Sequence, residues 1–104
     1  MPHFLLLIGL VLLTACASQS TVVTGTVAPA IDLADVRVVH QRPDCDFEEV
    51  AWIDVPGNYF SKPRLIDALR GQAAALGADV VQIIDLQREG STEYRGTARA
   101  LRCR

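Results

Sequence analysis

The feature that most constrains the fold of this chain is an apolar run at residues 4–13, "FLLLIGLVLL", near its start. A helix that crosses a bilayer needs roughly 20 apolar residues at a rise of 1.5 Å each, so this run is too short to span. Its length is typical of the hydrophobic region of a secretory signal peptide, although no Lys or Arg precedes it. If residues 1–15 are removed, 89 of the 104 residues remain, and they suffice for one small domain.

The sequence "LTAC" at residues 13–16 resembles the lipobox of bacterial lipoproteins. The resemblance implies cleavage between Ala15 and Cys16 and a lipid on the Cys16 sulfur, since only a thiol supplies the soft nucleophile for lipid transfer. Two or more acyl chains hold a protein firmly on its membrane. Ala17 stands where lipoproteins of the inner membrane usually carry Asp, so by analogy we predict the outer membrane, facing the periplasm. The alternative is an ordinary N-terminal helix with Cys16 in the core.

The charged residues all follow Cys16, and ten basic and twelve acidic side chains give a formal net charge of −2. No basic cluster is present that would follow a phosphate backbone, which argues against nucleic acid as a partner. We expect two partners, the membrane through the N-terminal lipid and a protein of the cell envelope. We expect no cofactor.

If Cys16 carries lipid, Cys45 and Cys103 remain as an even pair in an oxidising compartment. A disulfide between them would close a loop of about 59 residues and stabilise the domain by roughly 4 kcal/mol. A redox or metal-ligand role is the alternative. Asp44 and Asp46 disfavour the thiolate that redox chemistry needs, and the chain contains no C-x-x-C. We therefore predict a structural disulfide.

The chain divides into a signal peptide at residues 1–15, an anchor and flexible tether at 16–35, and a small α/β domain at 36–104. The tether is small and polar, although "TVVTGTV" at residues 21–27 has the β-branched content of a strand. In the domain, the apolar patterns predict strands at 36–41, 47–55, 80–86 and 94–103 and one helix between the second and third strands. The fold class is therefore α+β, a β-β-α-β-β domain with one helix packed on a mainly antiparallel sheet.

The helix has clear end signals. Ser61 is a plausible N-cap, Pro63 fits the first turn, and Gly77 suits the left-handed position that ends a helix. Gly71 stands in the middle at a cost of roughly 1 kcal/mol relative to Ala, which we interpret as close packing on the sheet. A stripe at helical spacing predicts the buried face: Ile66, Leu69, Ala73 and Leu76.

Two strands carry a readable alternation. In the strand at 47–55, Phe47, Ala51, Ile53 and Val55 are expected to share one face. On one face of the last strand, small residues would let the helix approach closely: Gly96, Ala98 and Ala100.

The segment "LRGQAAALGAD" at residues 69–79, running into an apolar strand, lies between a cysteine before the helix and another at the end of the chain. In this it resembles a poorly characterised family of small bacterial lipoproteins and, more distantly, the sensor lipoproteins of the Rcs envelope-stress phosphorelay. The resemblance implies a lipid anchor, a polar tether and a small disulfide-stapled α/β domain, with no established activity. Only two cysteines follow the anchor here, rather than the four of the stress sensor, so its signalling role does not carry over.

No residue pattern predicts an enzyme. GxSxG and Gly-rich phosphate loops are absent, and Ser61 and Ser91 occur in turns. His40 has no second histidine beyond Cys16 to form a metal site with, and we interpret it as a surface residue. Four acidic residues could hold calcium but lack the EF-hand order, which favours a solvated loop: Asp44, Asp46, Glu48 and Glu49.

Trp52 and Tyr59 are candidates for an interaction surface, because aromatic residues are enriched at binding hot spots. Packing of Trp52 in the core is the alternative. Together these observations predict a membrane-anchored periplasmic lipoprotein that acts as a non-catalytic interaction or envelope-sensing module. A small ligand- or metal-binding module is the first alternative, and a thiol-redox protein is the second.

Overall fold

The computed structural model describes residues 20–59, 61–90 and 93–104. One helix, α1, covers Lys62–Ala75, and a short 3-10 helix covers Leu33–Asp35. The five strands are β1 (Ser20–Val23), β2 (Arg37–Val39), β3 (Phe47–Tyr59), β4 (Val80–Glu89) and β5 (Glu93–Cys103).

The strands form one sheet in the order β1-β3-β5-β4-β2, and α1 packs on one side of it. β3, β5 and β4 pair antiparallel, as do β1 and β3, whereas β2 runs parallel to β4. The predicted fold class is confirmed, since the domain is a mixed α+β structure with one helix on a mainly antiparallel sheet. The structure adds β1 at the sheet edge, which the β-β-α-β-β prediction lacked.

The segment at residues 20–31 differs from the predicted flexible tether. Ser20 to Val23 pair with β3, and the amides of Thr24 and Gly25 donate to the Val50 carbonyl at 3.0 Å. Further along, Ala28 N–H donates to the Leu76 carbonyl at 3.1 Å and Ile31 N–H to the Ala74 carbonyl at 3.0 Å. The β-branched residues of β1 fit the open edge of β3, so this part of the chain belongs to the domain.

The helix ends agree with the sequence signals. Ser61 is the N-cap and its Oγ accepts from the Arg64 N–H at 3.4 Å, with Pro63 in the first turn. Gly77 follows the helix with φ +76°. The predictions for both ends are therefore confirmed.

The buried face of α1 is rotated relative to the predicted stripe. Leu65, Leu69, Ala73 and Ala74 are buried, whereas Ile66 and Leu76 are only partly so. The side that faces the sheet is a row of residues spaced four apart: Leu65, Leu69 and Ala73. This row begins one residue before Ile66, where the predicted stripe began. The prediction was therefore right for Leu69 and Ala73, but it missed Leu65 and Ala74 and overestimated the burial of Ile66 and Leu76.

Small residues on β5 let α1 approach the sheet, as predicted. Gly96, Ala98 and Ala100 are buried. A Cβ at Gly96 would lie 3.2 Å from Leu65 Cδ2 and 2.9 Å from Leu86 Cδ2. A side chain at Gly96 would therefore displace the Leu86 side chain and crowd Leu65 of the helix.

Gly71 does not have the packing role that the sequence suggested. It lies on the exposed side of α1, and a Cβ added there would meet nothing within 4 Å. The close approach of helix and sheet is instead provided by the small residues of β5.

The prediction that Phe47 shares a face with Ala51, Ile53 and Val55 is wrong, because β3 contains a bulge between them. Glu49 pairs with Leu101 and Ala51 with Ala100, so Val50 is an extra residue between them. An extra residue reverses the alternation on its far side. Phe47 therefore lies on the side of the sheet opposite α1, away from Ala51, Ile53 and Val55.

The predicted disulfide is confirmed. Cys45 and Cys103 are joined with an S–S distance of 2.07 Å and a Cα–Cα distance of 5.6 Å. The bond ties the loop before β3 to the end of β5.

Among the described residues, no helix is long and apolar enough to cross a membrane. The signal peptide prediction for residues 1–15 and the lipidation prediction for Cys16 lie outside the described residues.

Candidate functional site

The side of the sheet opposite α1 forms a surface that we call the open face, and we define it by Val22, Glu49, Trp52, Asp54, Gln82, Thr97 and Arg99. Strand register brings these side chains together. Val22 pairs with Trp52, Trp52 with Arg99, and Arg99 with Gln82. One row further along, Asp54 pairs with Thr97. Residues that pair across strands share a face, so these rows alternate with the buried rows that face α1.

Arg99 is the centre of a hydrogen-bond network on the open face. Its Nε donates to Glu49 Oε1 at 2.6 Å, and its Nη1 donates to Gln82 Oε1 at 3.1 Å. Thr24 Oγ1 donates to the second Glu49 oxygen at 2.8 Å. The guanidinium carbon of Arg99 also lies 5.9 Å from the centroid of the Phe47 ring. These contacts hold the arginine and the glutamate in fixed positions.

The same network changes the acidity of Glu49. The hydrogen bond from Arg99, followed by that from Thr24, lowers the pKa of Glu49 below its ordinary value. Both bonds favour the carboxylate over the protonated acid, and partial burial opposes them only weakly. The open face therefore presents an ionised pair at neutral pH.

Trp52 is exposed, with 38% of its surface accessible, and lies beside Val22, which is 56% exposed. Trp52 is therefore not packed in the core, which was the alternative that the sequence left open. The two side chains form an apolar patch that polar residues border on the β5 side. Its role in binding stays a prediction.

Tyr59 is not brought together with Trp52. Its backbone pairs with Tyr94, whereas Trp52 pairs with Arg99, five residues further along β5. At about 3.3 Å per residue the two positions lie about 17 Å apart. The side chain of Tyr59 lies outside the described residues.

A shallow cleft of about 430 Å³ lies at the other edge of the sheet and is lined by residues 37–44. It contains the basic side chains of Arg37, His40 and Arg42 together with Asp44. Arg37 Nη2 lies 3.7 Å from the Cys103 sulfur, and the Arg42 guanidinium carbon lies 5.2 Å from the centroid of the Phe47 ring. The sequence contained one signal for this cleft, the spacing of three basic residues over positions 37–42.

The acidic residues at 44–49 do not converge on one point. Glu48 pairs with Arg102 at 2.8 Å, while Glu49 pairs with Arg99 on the open face. In the part of the chain that the structure describes, no group of three His, Cys, Asp or Glu residues could hold a metal ion.

Comparison of this chain with protein-family models, with curated proteins and with solved structures gave no match. What the domain can do must therefore follow from its own chemistry. The open face is a rigid sheet surface with an exposed aromatic side chain and fixed charges, and a surface of this kind is suited to binding another macromolecule.

Proposed function

We propose that this chain is a lipid-anchored protein of the bacterial cell envelope whose domain is a non-catalytic interaction or sensing module. The partner is a protein of the same compartment, and the module contacts it through the open face. The apolar run and "LTAC" support the anchor, and Ala17 after the cysteine supports the outer membrane, facing the periplasm. The disulfide supports an oxidising compartment, because such bonds persist there and are rare in the cytosol.

The observation that carries the proposal is the exposed patch of Trp52 and Val22 on the open face. Tryptophan supplies a large apolar area with few rotatable bonds, and it is one of the residues enriched among binding hot spots. A tryptophan left about two-fifths exposed on a rigid sheet is poised to be covered by a partner. Single exposed valines are common on protein surfaces, but here the valine extends the area beside the aromatic ring.

The charged residues beside the patch determine which charges a partner must carry to bind there. Arg99 and Glu49 lie next to Trp52, and Asp54 accepts a hydrogen bond from Thr97 Oγ1 at 3.1 Å. Because these groups are already held by neighbours, the open face loses little side-chain entropy when a partner with complementary charges binds to it.

Photocrosslinking in cells tests the binding surface. A photoreactive amino acid is placed at Val22, at Trp52, or at Ala75, which is exposed near the end of α1. We expect the first two positions to give one and the same protein adduct and Ala75 to give none. Adducts of equal yield from all three positions, or none from Val22 and Trp52, would contradict the proposed surface.

The anchor is tested separately by Cys16→Ser. Wild-type protein should incorporate labelled palmitate and sediment with membranes, because two or more acyl chains give stable attachment. The variant should incorporate none. Membrane attachment of Cys16→Ser equal to that of the wild type would refute the anchor.

A thiol-redox function is the second candidate, because Arg37 lies 3.7 Å from the Cys103 sulfur. A nearby cation stabilises a thiolate and so favours thiol–disulfide exchange. Here we expect Arg37→Ala to slow the alkylation of Cys103 in reduced protein at neutral pH, because the cation beside the sulfur is lost. An unchanged alkylation rate, or a Cys45–Cys103 bond that never opens in cells, would exclude this function.

A further inference from the structure

The pairing of β1 with β3 leaves a very short connection to the proposed lipid anchor. We infer that the hairpin end of the domain, defined by residues 87–90 and 93–95 and the first turn of α1, rests on the phospholipid headgroups of the membrane. This inference rests on the proposed lipidation of Cys16. It names a second partner, the lipid surface, at a place distinct from the open face.

The length of the connection sets the first limit. Ser20 is the first residue of β1, so only four residue steps separate it from Cys16. A fully extended chain spans at most about 3.3–3.6 Å per residue, so the anchored cysteine lies within about 14 Å of Ser20. A flexible tether running to residue 35 would have allowed several times this distance.

The register of the sheet sets the second limit. Ser20 pairs with Asp54, and Asp54 pairs with Thr97. Beyond this row β5 continues for four more residues, to the Glu89–Glu93 pair. At about 3.3 Å per residue the described part of the hairpin therefore extends about 13 Å past Ser20.

The two lengths are nearly equal. β1 is antiparallel to β3, so its Ser20 end points towards the hairpin end of the sheet. In that direction the lipid-bearing sulfur can lie no further from the Ser20 row than about the length of the hairpin, so the bilayer surface cannot be held clear of the hairpin. The end of β3 and the first turn of α1 lie at the same end, because Tyr59 pairs with Tyr94 and α1 begins at Lys62. The opposite end, at the Phe47–Cys103 pair, lies six residues of β5 away from the Ser20 row, or about 20 Å.

The charge of this end indicates that the contact does not depend on electrostatic attraction. Basic and acidic residues nearly balance there, from the Ser20 row to the hairpin: Lys62, Arg64, Arg88 and Arg95 against Asp54, Asp67, Asp85, Glu89 and Glu93. A balanced surface gains little from anionic lipid, in contrast to a polybasic segment. The contact is therefore set by the short connection, and zwitterionic headgroups suffice.

Crosslinking to lipid tests the inference on full-length lipidated protein in vesicles of phosphatidylethanolamine, with and without phosphatidylglycerol. A photoreactive amino acid is placed at Gln87, exposed on the hairpin, and at Ala75 as the matched control. Ala75 lies at the far end, where the Gly77 carbonyl accepts from Arg102 at 3.1 Å. We expect lipid adducts at Gln87 in both vesicle types and none at Ala75.

A lengthened connection supplies the decisive variant. About 20 Gly and Ser residues inserted between residues 19 and 20 would add a mean span of about 25 Å without touching β1. We expect this variant to stay bound to membranes and to lose the lipid adducts at Gln87. Adducts that persist after the insertion, that need phosphatidylglycerol, or that never form at Gln87 in palmitate-labelled protein would overturn the inference. Absence of palmitate label would instead refute the proposed anchor itself, so the two failures are distinguishable.

Discussion

Two glycines, one in the helix and one just after it, differ in whether a side chain could replace them. Gly71 lies on the exposed side of α1 with open space around it. Gly77 has φ +76°, and a Cβ there would come within 2.8 Å of both the Ala28 Cβ and the Pro29 carbonyl oxygen. The same residue type is dispensable at one position and required at the other.

We expect Gly71→Ala to raise the free energy of unfolding by about 0.5–1 kcal/mol, since alanine restricts the unfolded chain and favours helix. Gly77→Ala should lower it by more than about 1 kcal/mol, because of the left-handed backbone and the contact with residues 28 and 29. Urea denaturation of both variants measures the difference. A neutral Gly77→Ala would contradict the described packing of residues 28 and 29.

Glu49 gives a prediction on pH. Its pKa in the folded protein is lowered from 4.5, so its contribution to stability is fully present above that pH and is lost as pH falls through the lowered value. Glu49→Gln should therefore cost at most about 1 kcal/mol at neutral pH, since the pair is partly exposed, and the cost should shrink in acid. Urea midpoints across pH measure it.

Asp67→Asn is the matched control for Glu49→Gln. Asp67 pairs with Arg70 at 3.2 Å, but its side chain is 61% exposed. We expect the control to have a smaller effect at neutral pH. Equal effects of the two substitutions at every pH would show that the Arg99 and Thr24 bonds to Glu49 do not stabilise the fold.

Sequence reasoning at this scale succeeded where the signal is local. The N-cap at Ser61, the left-handed Gly77 and the cysteine pair follow from neighbouring residues or from simple counting. The Arg99 network did not follow, because it joins β3, β4 and β5, and its register depends on the bulge at Val50. Nothing in the residues around Val50 marks the bulge, and without it Phe47 is assigned to the wrong side.

At the scale of elements, Arg102 connects the segment after β1 to the rest of the domain. It donates to the Thr26 carbonyl at 2.9 Å, to the Gly77 carbonyl at 3.1 Å and to Glu48 at 2.8 Å. One side chain near the C-terminus thus holds the end of α1 and the chain that leads from β1.

We expect Arg102→Ala to increase hydrogen exchange of the Ala28 and Ile31 amides, which bond to the end of α1, more than that of the β5 amides. Removing one partner leaves the other groups without their charged donor, at a cost of about 1–3 kcal/mol. Lys62→Ala, exposed in the first turn of α1, is the control and should leave both sets unchanged. Uniform loss of protection across the sheet would argue against a local role for Arg102.

Most of the helices and strands could be predicted from the sequence, but the pairing of β1 in the sheet could not. Four of the five strands and the helix follow from apolar patterns and turn residues. β1 was assigned to a tether because the segment that contains it is small and polar as a whole, and because its partner strand is distant in sequence. Its pairing with β3 depends on an open sheet edge, which exists only once the other strands are in place.

At the scale of the whole molecule, the disulfide joins two points that are 58 residues apart in sequence. Cys45→Ala and Cys103→Ala should each lower the free energy of unfolding by about 4 kcal/mol, the chain-entropy value for a loop of this size. Since both substitutions remove the same bond, the double variant should lose no more than either single one. Urea denaturation of the three variants measures this, and additive losses would show that each cysteine also stabilises the fold on its own.

The position of β5 has a consequence for how this protein is made. β5 is the last strand to leave the ribosome, yet it occupies the middle of the sheet, between β3 and β4. Until residues 93–103 exist, β3 and β4 each pair only with a strand of three or four residues at the sheet edge. The sheet therefore cannot close until residues 93–103 have emerged, whether from the ribosome or from a translocation channel. Under the export that we propose, this order of events keeps the chain competent for passage until β5 can insert between β3 and β4.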